Sequence, residues 1–195
     1  MSSRIIRTAS GVPVVVRAAT ADDLTAVNEM HGRCSPRTLI SRYAAGRGAL
    51  LDREWRRMVD PARGRTFVLA GPDERDAVIG FATLLRVTAT GMAEVSLLLR
   101  DDWQNAGVGR ALARYLVGVA GQLRFAGVVA WIAPDNVRAR KLLRGLGGAP
   151  ELADGEVRWV VASGYPQRAV RSSAVVGTAT LRASWASAAS CMPGS

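Results

Sequence analysis

Residues 92–121 read MAEVSLLLRDDWQNAGVGRALARYLVGVAG, and the order of patterns in this stretch decides the fold. Ser96 to Arg100 holds three consecutive leucines, a run far too short to span a membrane and suited to a strand buried on both faces. Asp101-Asp102-Trp103-Gln104 ends that strand. From Gly107 onward, Val108, Leu112, Tyr115, Leu116 and Val119 recur at the three-to-four-residue spacing of a half-buried helix. Gln104 to Arg110 is therefore the turn from a buried strand into a helix. The first amides of a helix have no partner within it, and the helix dipole is positive at that end. A loop that leaves those amides accessible can hold an anion such as a pyrophosphate. Gly107 and Gly109 suit that use, because without a β-carbon the backbone can be approached closely.

Two well-defined phosphate loops do not fit. A dinucleotide fingerprint would place a third glycine where Leu112 stands, and a P-loop would follow glycine with lysine and then serine or threonine. Gln104-Asn105-Ala106-Gly107-Val108-Gly109 instead resembles the Gln/Arg-x-x-Gly-x-Gly/Ala loop of the GNAT family, the Gcn5-related N-acetyltransferases that bind acetyl coenzyme A (acetyl-CoA). Downstream, Trp131-Ile132-Ala133-Pro134-Asp135-Asn136, then Ala139, Leu142, Leu143 and Leu146-Gly147, resembles the family's fifth strand, its Asn-x-x-Ala helix start and the Leu-Gly that closes that helix. The resemblance spans residues 13–163 and is concentrated in 92–147.

The resemblance implies an α+β fold of α/β/α layering, with a mixed, mostly antiparallel central sheet, a splayed parallel strand pair and flanking helices. It also implies that the pantetheine arm of acetyl-CoA bonds to the exposed backbone of Leu97, Leu98 and Leu99. The pyrophosphate then falls to the amides of Asn105, Ala106, Gly107, Val108, Gly109 and Arg110, in the loop that Gln104 opens. Asn136 matches the family asparagine that contacts the cofactor, although as a plain helix cap it would look the same.

Acetyl transfer to an amine needs the neutral amine, donors for the oxyanion and a proton for the leaving thiolate. Some relatives place a catalytic glutamate at the start of the leading strand. Glu94 holds that position, which equally suits an exposed carboxylate at a strand end. Relatives that use a tyrosine as acid place it seven residues after the asparagine, and Leu143 stands there. Either the thiolate leaves with a proton from water, as a thiol pKa of about 8.5 allows, or the chain is a catalytically impaired regulatory module that binds coenzyme A. The activity implied is an N-acetyltransferase acting on a primary amine, a protein lysine or a small molecule, by direct attack. The run Cys34 to Tyr43 is similar to the Ser-Pro-x-Ser/Thr-Leu-x-x-Arg-Phe/Tyr run of the subset allied to bacterial protein-lysine acetyltransferases. Helix packing explains the same residues.

A length of 195 residues with 49% apolar content fits one domain with a sizeable core. Cys34 and Cys191 have no metal-ligand spacing and fit a reducing compartment, and Val12 to Val16 is too short and too proline-interrupted for a signal peptide. A cytoplasmic protein with no metal and no membrane partner is expected, and a homodimer is left open. The net charge of +10 is spread along the chain. Arg4, Arg7 and Arg17 at one end and Arg168, Arg171 and Arg182 at the other supply much of it, and no basic block is interleaved with aromatics. The 25 arginines against the single Lys141 fit a genome bias, so nucleic acid is not an expected partner. His31 is the only histidine, which leaves a His-based triad resting on one residue; a partly buried surface histidine is expected.

Along the chain, residues 1–12 read as a flexible leader and 13–164 as the catalytic domain. Pro13 to Ala18 reads as an edge strand. Thr20 caps a helix buried through Leu24, Val27, Met30 and Cys34. Ser35-Pro36 starts a second helix through Leu39, Ile40 and Tyr43 that stops at Gly46, and Asp52 to Asp60 forms a third. Arg65 to Ala70 and Ala77 to Arg86 pair as a hairpin about Gly71-Pro72-Asp73-Glu74. Gly127 to Ala133 runs parallel to the leucine strand, because a helical crossover separates them. Ala149 to Leu152 and Glu156 to Ala162 close a last hairpin at Asp154-Gly155. Residues 165–195, rich in Ser and Ala and without an acidic side chain, read as a disordered basic tail.

Overall fold

The computed structural model describes residues 3–43, 48–72, 77–87, 90–153 and 156–164. Among them the chain forms strands β1 (Arg4–Arg7), β2 (Pro13–Ala18), β3 (Gly64–Ala70), β4 (Val78–Val87), β5 (Met92–Leu99), β6 (Gly127–Trp131), β7 (Ala149–Ala153) and β8 (Glu156–Ala162). They make one sheet in the order β1-β2-β3-β4-β5-β6-β8-β7. Every neighbouring pair is antiparallel except β5 with β6. The exception follows from connectivity: α4 (Val108–Gln122) carries the chain back along the sheet between those two strands, and such a crossover makes them parallel.

Side chains of β5 alternate between two cores. Ala93, Val95 and Leu99 pack with Val108, Leu112, Leu116 and Ala120 of α4 and with Leu143 of α5 (Val137–Arg144). Leu98 packs instead with Val27 and Met30 of α1 (Leu24–Gly32), Leu39 of α2 (Pro36–Tyr43) and Trp55 and Met58 of α3 (Asp52–Val59). The sheet thus lies between α4 and α5 on one face and α1, α2 and α3 on the other, the expected α/β/α layering. Burial on both faces is why the leucine run does not alternate with polar residues.

Local chemistry sets the helix starts. Ahead of α1 the Asp23 carboxylate accepts from the Thr20 amide at 2.7 Å and pairs with Arg17 at 2.6 Å. Burial pushes the Asp23 carboxyl up, but the bonds from Arg17 and Thr20 outweigh it and hold the group below the ordinary carboxylate range. That contribution is present at neutral pH and lost as pH falls through the folded pKa. In α2, Pro36 takes the first helical position and Ser35 Oγ accepts from the Thr38 amide at 3.3 Å.

Trp55 locks α3 to the sheet. It is fully buried, lies edge-on to Phe81 of β4 and donates from Nε1 to the Thr20 carbonyl at 2.8 Å. Trp55→Ala is expected to cost about 3–5 kcal/mol, or roughly 10 °C in thermal midpoint by circular dichroism, since it leaves a cavity and an unpaired carbonyl. A shift under about 3 °C would mean that α3 is not anchored this way.

Three expectations change. Arg4–Arg7, within the expected leader, forms β1 on β2, so β2 is not the sheet edge. Pro13 is tolerated because it starts its strand, and pairing with β3 begins only at Val15. His31 is 1% exposed, buried against Phe81 and bonded to Tyr43, rather than a surface side chain. The strand expected to reach Ala133 ends at Trp131, three residues before Pro134. The expected helix stop at Gly46, the Asp73-Glu74 and Asp154-Gly155 portions of turns and the tail from 165 lie outside the described residues.

Candidate active site

β5 and β6 are paired at Ala93 opposite Val128 and at Glu94 opposite Val129, and beyond that point they part. β5 stays paired to β4 as far as Leu99, and β6 stays paired to β8 along its length. A wedge therefore opens inside the sheet, bordered by the β6-facing backbone of β5 after Glu94. The Arg100 amide donates to the Ile79 carbonyl, and the alternation of that ladder turns the Leu98 backbone to β4, so the open edge belongs to Leu97 and to Leu99, whose carbonyl already accepts from Gln104 Nε2 at 2.9 Å.

The chain leaves this wedge through a short 3-10 turn, Asp101–Trp103, and enters the loop expected to hold an anion. Asn105 has φ 63° and Gly107 φ 81°, left-handed conformations that asparagine and glycine adopt most readily. α4 then starts at Val108, which is fully buried, and the Gly107 carbonyl accepts from the Ala111 amide at 3.1 Å. Asn105, Ala106, Gly107 and Arg110 are exposed, and the first-turn amides of α4 have no acceptor within the helix. A β-carbon built on Gly109 would lie 3.4 Å from Leu142 and 3.6 Å from Leu99, which shows how closely the loop, the end of β5 and α5 meet. One built on Gly107 would touch Thr8 at 3.4 Å, so the turn after β1 lies beside the loop.

A cation adjoins the loop: Arg138 of α5 donates to Gln104 Oε1, whereas the guanidinium of Arg110 reaches the other end of α5, 3.4 Å from where a β-carbon on Gly145 would stand. Asn136 caps α5, its Oδ1 accepting from the Ala139 amide at 3.0 Å.

Glu94 sits half-buried at the last paired position before the wedge, opposite Leu85 of β4. Strand alternation places Glu94, Ser96 and Leu98 toward α1, α2 and α3. Ser96 Oγ and Thr83 Oγ1 lie 2.6 Å apart on that face. Leu143 is 5% exposed, in the core between α5 and the sheet, so the position where relatives carry a tyrosine offers no proton.

Residues 34–38 hold two features that the sequence did not reveal. Ser35 and Thr38 bond to Asp101 across the site, at separations of 66 and 63 residues that no local pattern could signal. The Cys34 thiol is pushed up to about 11, by burial first and then by the Asp101 carboxylate. It stays protonated at neutral pH and is no nucleophile. At pH 8 its alkylation by iodoacetamide, read by mass spectrometry of the Cys34 peptide, is expected to be about a hundredfold slower than that of an ordinary free thiol. A rate equal to that of a model peptide would refute the burial argument. A groove of about 460 Å³ lined by Arg33, Arg100, Asp101 and Asp102 lies beside this region. Arg100 grips Asp102 there at 2.7 Å and 2.8 Å.

A family model described as Acetyltransferase (GNAT) family matches residues 25–147, and the chain belongs to that family of N-acetyltransferases, whose co-substrate is acetyl-CoA. No curated protein matches the sequence. Among solved structures, the GNAT domain of S. lividans PAT is 22% identical, with 83% of this chain and 96% of that chain covered at a TM-score of 0.72. Spermidine N-acetyltransferase from Vibrio cholerae, solved with CoA and spermine, is 16% identical over 78% and 96% at 0.61. A mutant of the cAMP-binding acyltransferase from Mycobacterium smegmatis is 22% identical over 94% of this chain and 52% of that one at 0.58. At these identities the structures share the fold. The wedge, the first-turn amides of α4 and the adjoining Arg138 fit an extended arm that ends in a pyrophosphate. Among the described residues no group of His, Cys, Asp and Glu is placed to hold a metal, and no helix is long and apolar enough to cross a membrane.

Proposed function

We propose that this chain transfers the acetyl group of acetyl-CoA to a primary amine by direct attack, with a protein lysine as acceptor. The parting of β5 and β6 beyond Glu94, beside the first-turn amides of α4, is the observation that carries the reading. The wedge-facing backbone of Leu97 and Leu99 holds the pantetheine arm, while the Leu98 backbone between them is bonded to β4. Amides from Asn105 to Arg110, through Ala106, Gly107, Val108 and Gly109, hold the pyrophosphate, and Gln104 and Arg138 flank it. The oxygen of Asn136 is used in capping, which leaves its nitrogen to donate to the ligand. Acetyl-CoA bound there supplies an activated thioester; the protein supplies orientation and proton movement. Glu94, at the narrow end of the wedge, takes the proton from the incoming ammonium. With Leu143 unable to give one, the leaving thiolate is protonated by water.

Charge on the helices over this face bears on the acceptor. Arg33, Arg37, Arg53 and Arg57 are exposed there against the carboxylates of Asp22 and Glu29, and the exposed Asp52 is paired with Arg56 at 2.8 Å. A polyamine would meet like charge, whereas a lysine in an acidic stretch of protein would be drawn in. Cytoplasmic residence, argued from the absence of a cysteine framework in the sequence, belongs to the same proposal.

Leu143 favours a second reading, a coenzyme A-binding regulatory module without turnover. Labelled acetyl-CoA incubated with the protein, cell proteins and a panel of small amines separates the two by mass spectrometry. Label on protein lysines is the expected result, label confined to polyamines would overturn the acceptor, and binding without transfer would overturn the catalytic reading.

A further inference from the structure

The Gln104 side chain is a junction between three elements. Its Nε2 donates to the Leu99 carbonyl at 2.9 Å and to Thr38 Oγ1 at 3.1 Å, while its Oε1 accepts from Arg138. One carboxamide thus joins the end of β5, the start of α5 and the first turn of α2. Thr38 is gripped from its other side as well. Its hydroxyl donates to Asp101 Oδ1 at 2.8 Å. The same carboxylate accepts from the Ser35 amide at 2.7 Å and from the Ser35 hydroxyl at 2.9 Å. A hydroxyl has one hydrogen, so with that given to Asp101 the bond from Gln104 uses a lone pair, and the network runs in one direction from carboxamide to carboxylate. Burial pushes the Asp101 carboxyl up, but the bonds from Ser35 and Thr38 outweigh it and hold it below the ordinary range, so it is ionised at neutral pH.

α2 roofs the face on which Glu94 lies. Leu39 is buried in one cluster with Leu98 and Phe81, and Tyr43 bonds to the buried His31. Whatever steadies the first turn of α2 therefore steadies the cover of the acceptor side.

We propose that Thr38 is a positioning residue that couples the phosphate loop to α2, so that an anion held by the loop fixes the helix over the acceptor side. The proposal rests on the reading of residues 104–110 as the pyrophosphate site. An anion on those amides immobilises the backbone that follows Gln104 and restricts its carboxamide to the rotamer that reaches Thr38. By linkage, whatever orders α2 tightens the anion in return.

The test is hydrogen exchange of the α2 amides in the full chain, with and without free coenzyme A, alongside calorimetric binding. In the wild type, coenzyme A is expected to slow exchange across residues 37–43 by about tenfold. In Thr38→Val, coenzyme A should still bind, yet exchange in α2 should be the same with and without it, and Thr38→Ser should restore the slowing. Thr38→Ala, which also removes the hydroxyl, is a second variant with the same expected loss should Thr38→Val fold poorly. A purely structural role would speed α2 exchange equally in both states and leave the slowing intact in Thr38→Val, which would overturn the coupling. Binding to the wild type with no slowing in α2 would overturn it too, while leaving the phosphate site standing. No binding at all would remove the site and the coupling together.

Discussion

Replacing Gly107 with glutamate is expected to abolish acetyl-CoA binding in a protein that remains folded. Two effects combine at this position. The backbone has φ 81°, so any side chain costs about 1–2 kcal/mol in the left-handed region. A β-carbon would rest at ordinary contact distance from Thr8, 3.4 Å, so the change strains the loop without wrecking the packing. The carboxylate then lies among the amides that a pyrophosphate needs, where like charge and occupied donors oppose the ligand. An affinity loss of at least about a hundredfold, or about 2.7 kcal/mol, is expected by calorimetry, with a thermal midpoint lowered by a few degrees. Gly109→Glu separates the two effects. Gly109 lacks a positive φ and has room for a β-carbon beside Leu142 and Leu99, so its variant should lose affinity to a similar degree with a smaller change in stability. Unchanged affinity in both folded variants would take the loop out of the site.

The second large effect concerns Glu94. Glu94→Gln keeps the size and hydrogen bonding of the side chain and removes its basicity, so turnover should fall by about a hundredfold or more with cofactor affinity nearly constant. The variant should regain activity toward high pH, where the free amine forms without help. A carboxylate that only solvates a strand end would give a variant within about twofold of the wild type at every pH. The other carboxylates near the first three helices are weaker candidates for the base. Glu54 accepts from the Leu51 amide at 2.9 Å as part of a helix start, and Glu29 is exposed on α1. A flat result for Glu94→Gln would leave water as the base.

The central stretch was legible because the roles proposed for it fall on backbone. Leucines can serve beside a cofactor when only their amides and carbonyls are used, and glycines mark a close approach whatever surrounds them. The strand, turn and helix between Met92 and Gln122 therefore showed themselves through periodicity and two glycines. β1 did not, because Arg4–Arg7 has only two apolar residues and gains its order from pairing with β2 and from the turn in which Val12 donates to Thr8 Oγ1 at 3.0 Å. Short apolar runs were present in Ile5-Ile6 and Val14 to Val16 around Gly11, but a strand of four residues is too short to stand against a terminal position. His31 looked like a surface residue because one side chain on a helix face carries no sign of what covers it. The links from Ser35 and Thr38 to Asp101 and from Thr38 to Gln104 join residues more than sixty positions apart, and only the packing of α2 on β5 brings them together.

The most direct measurement is a backbone amide titration by nuclear magnetic resonance, with acetyl-CoA added to the labelled protein. Amides from Asn105 to Arg110 and those of Leu97 and Leu99 should show the largest shifts, saturating together at one ligand per chain, with the Gly107→Glu variant silent. Shifts confined to other parts of the sheet, or none at ligand concentrations of about a millimolar, would contradict the assignment of the parted strands and the glycine loop as the acetyl-CoA site.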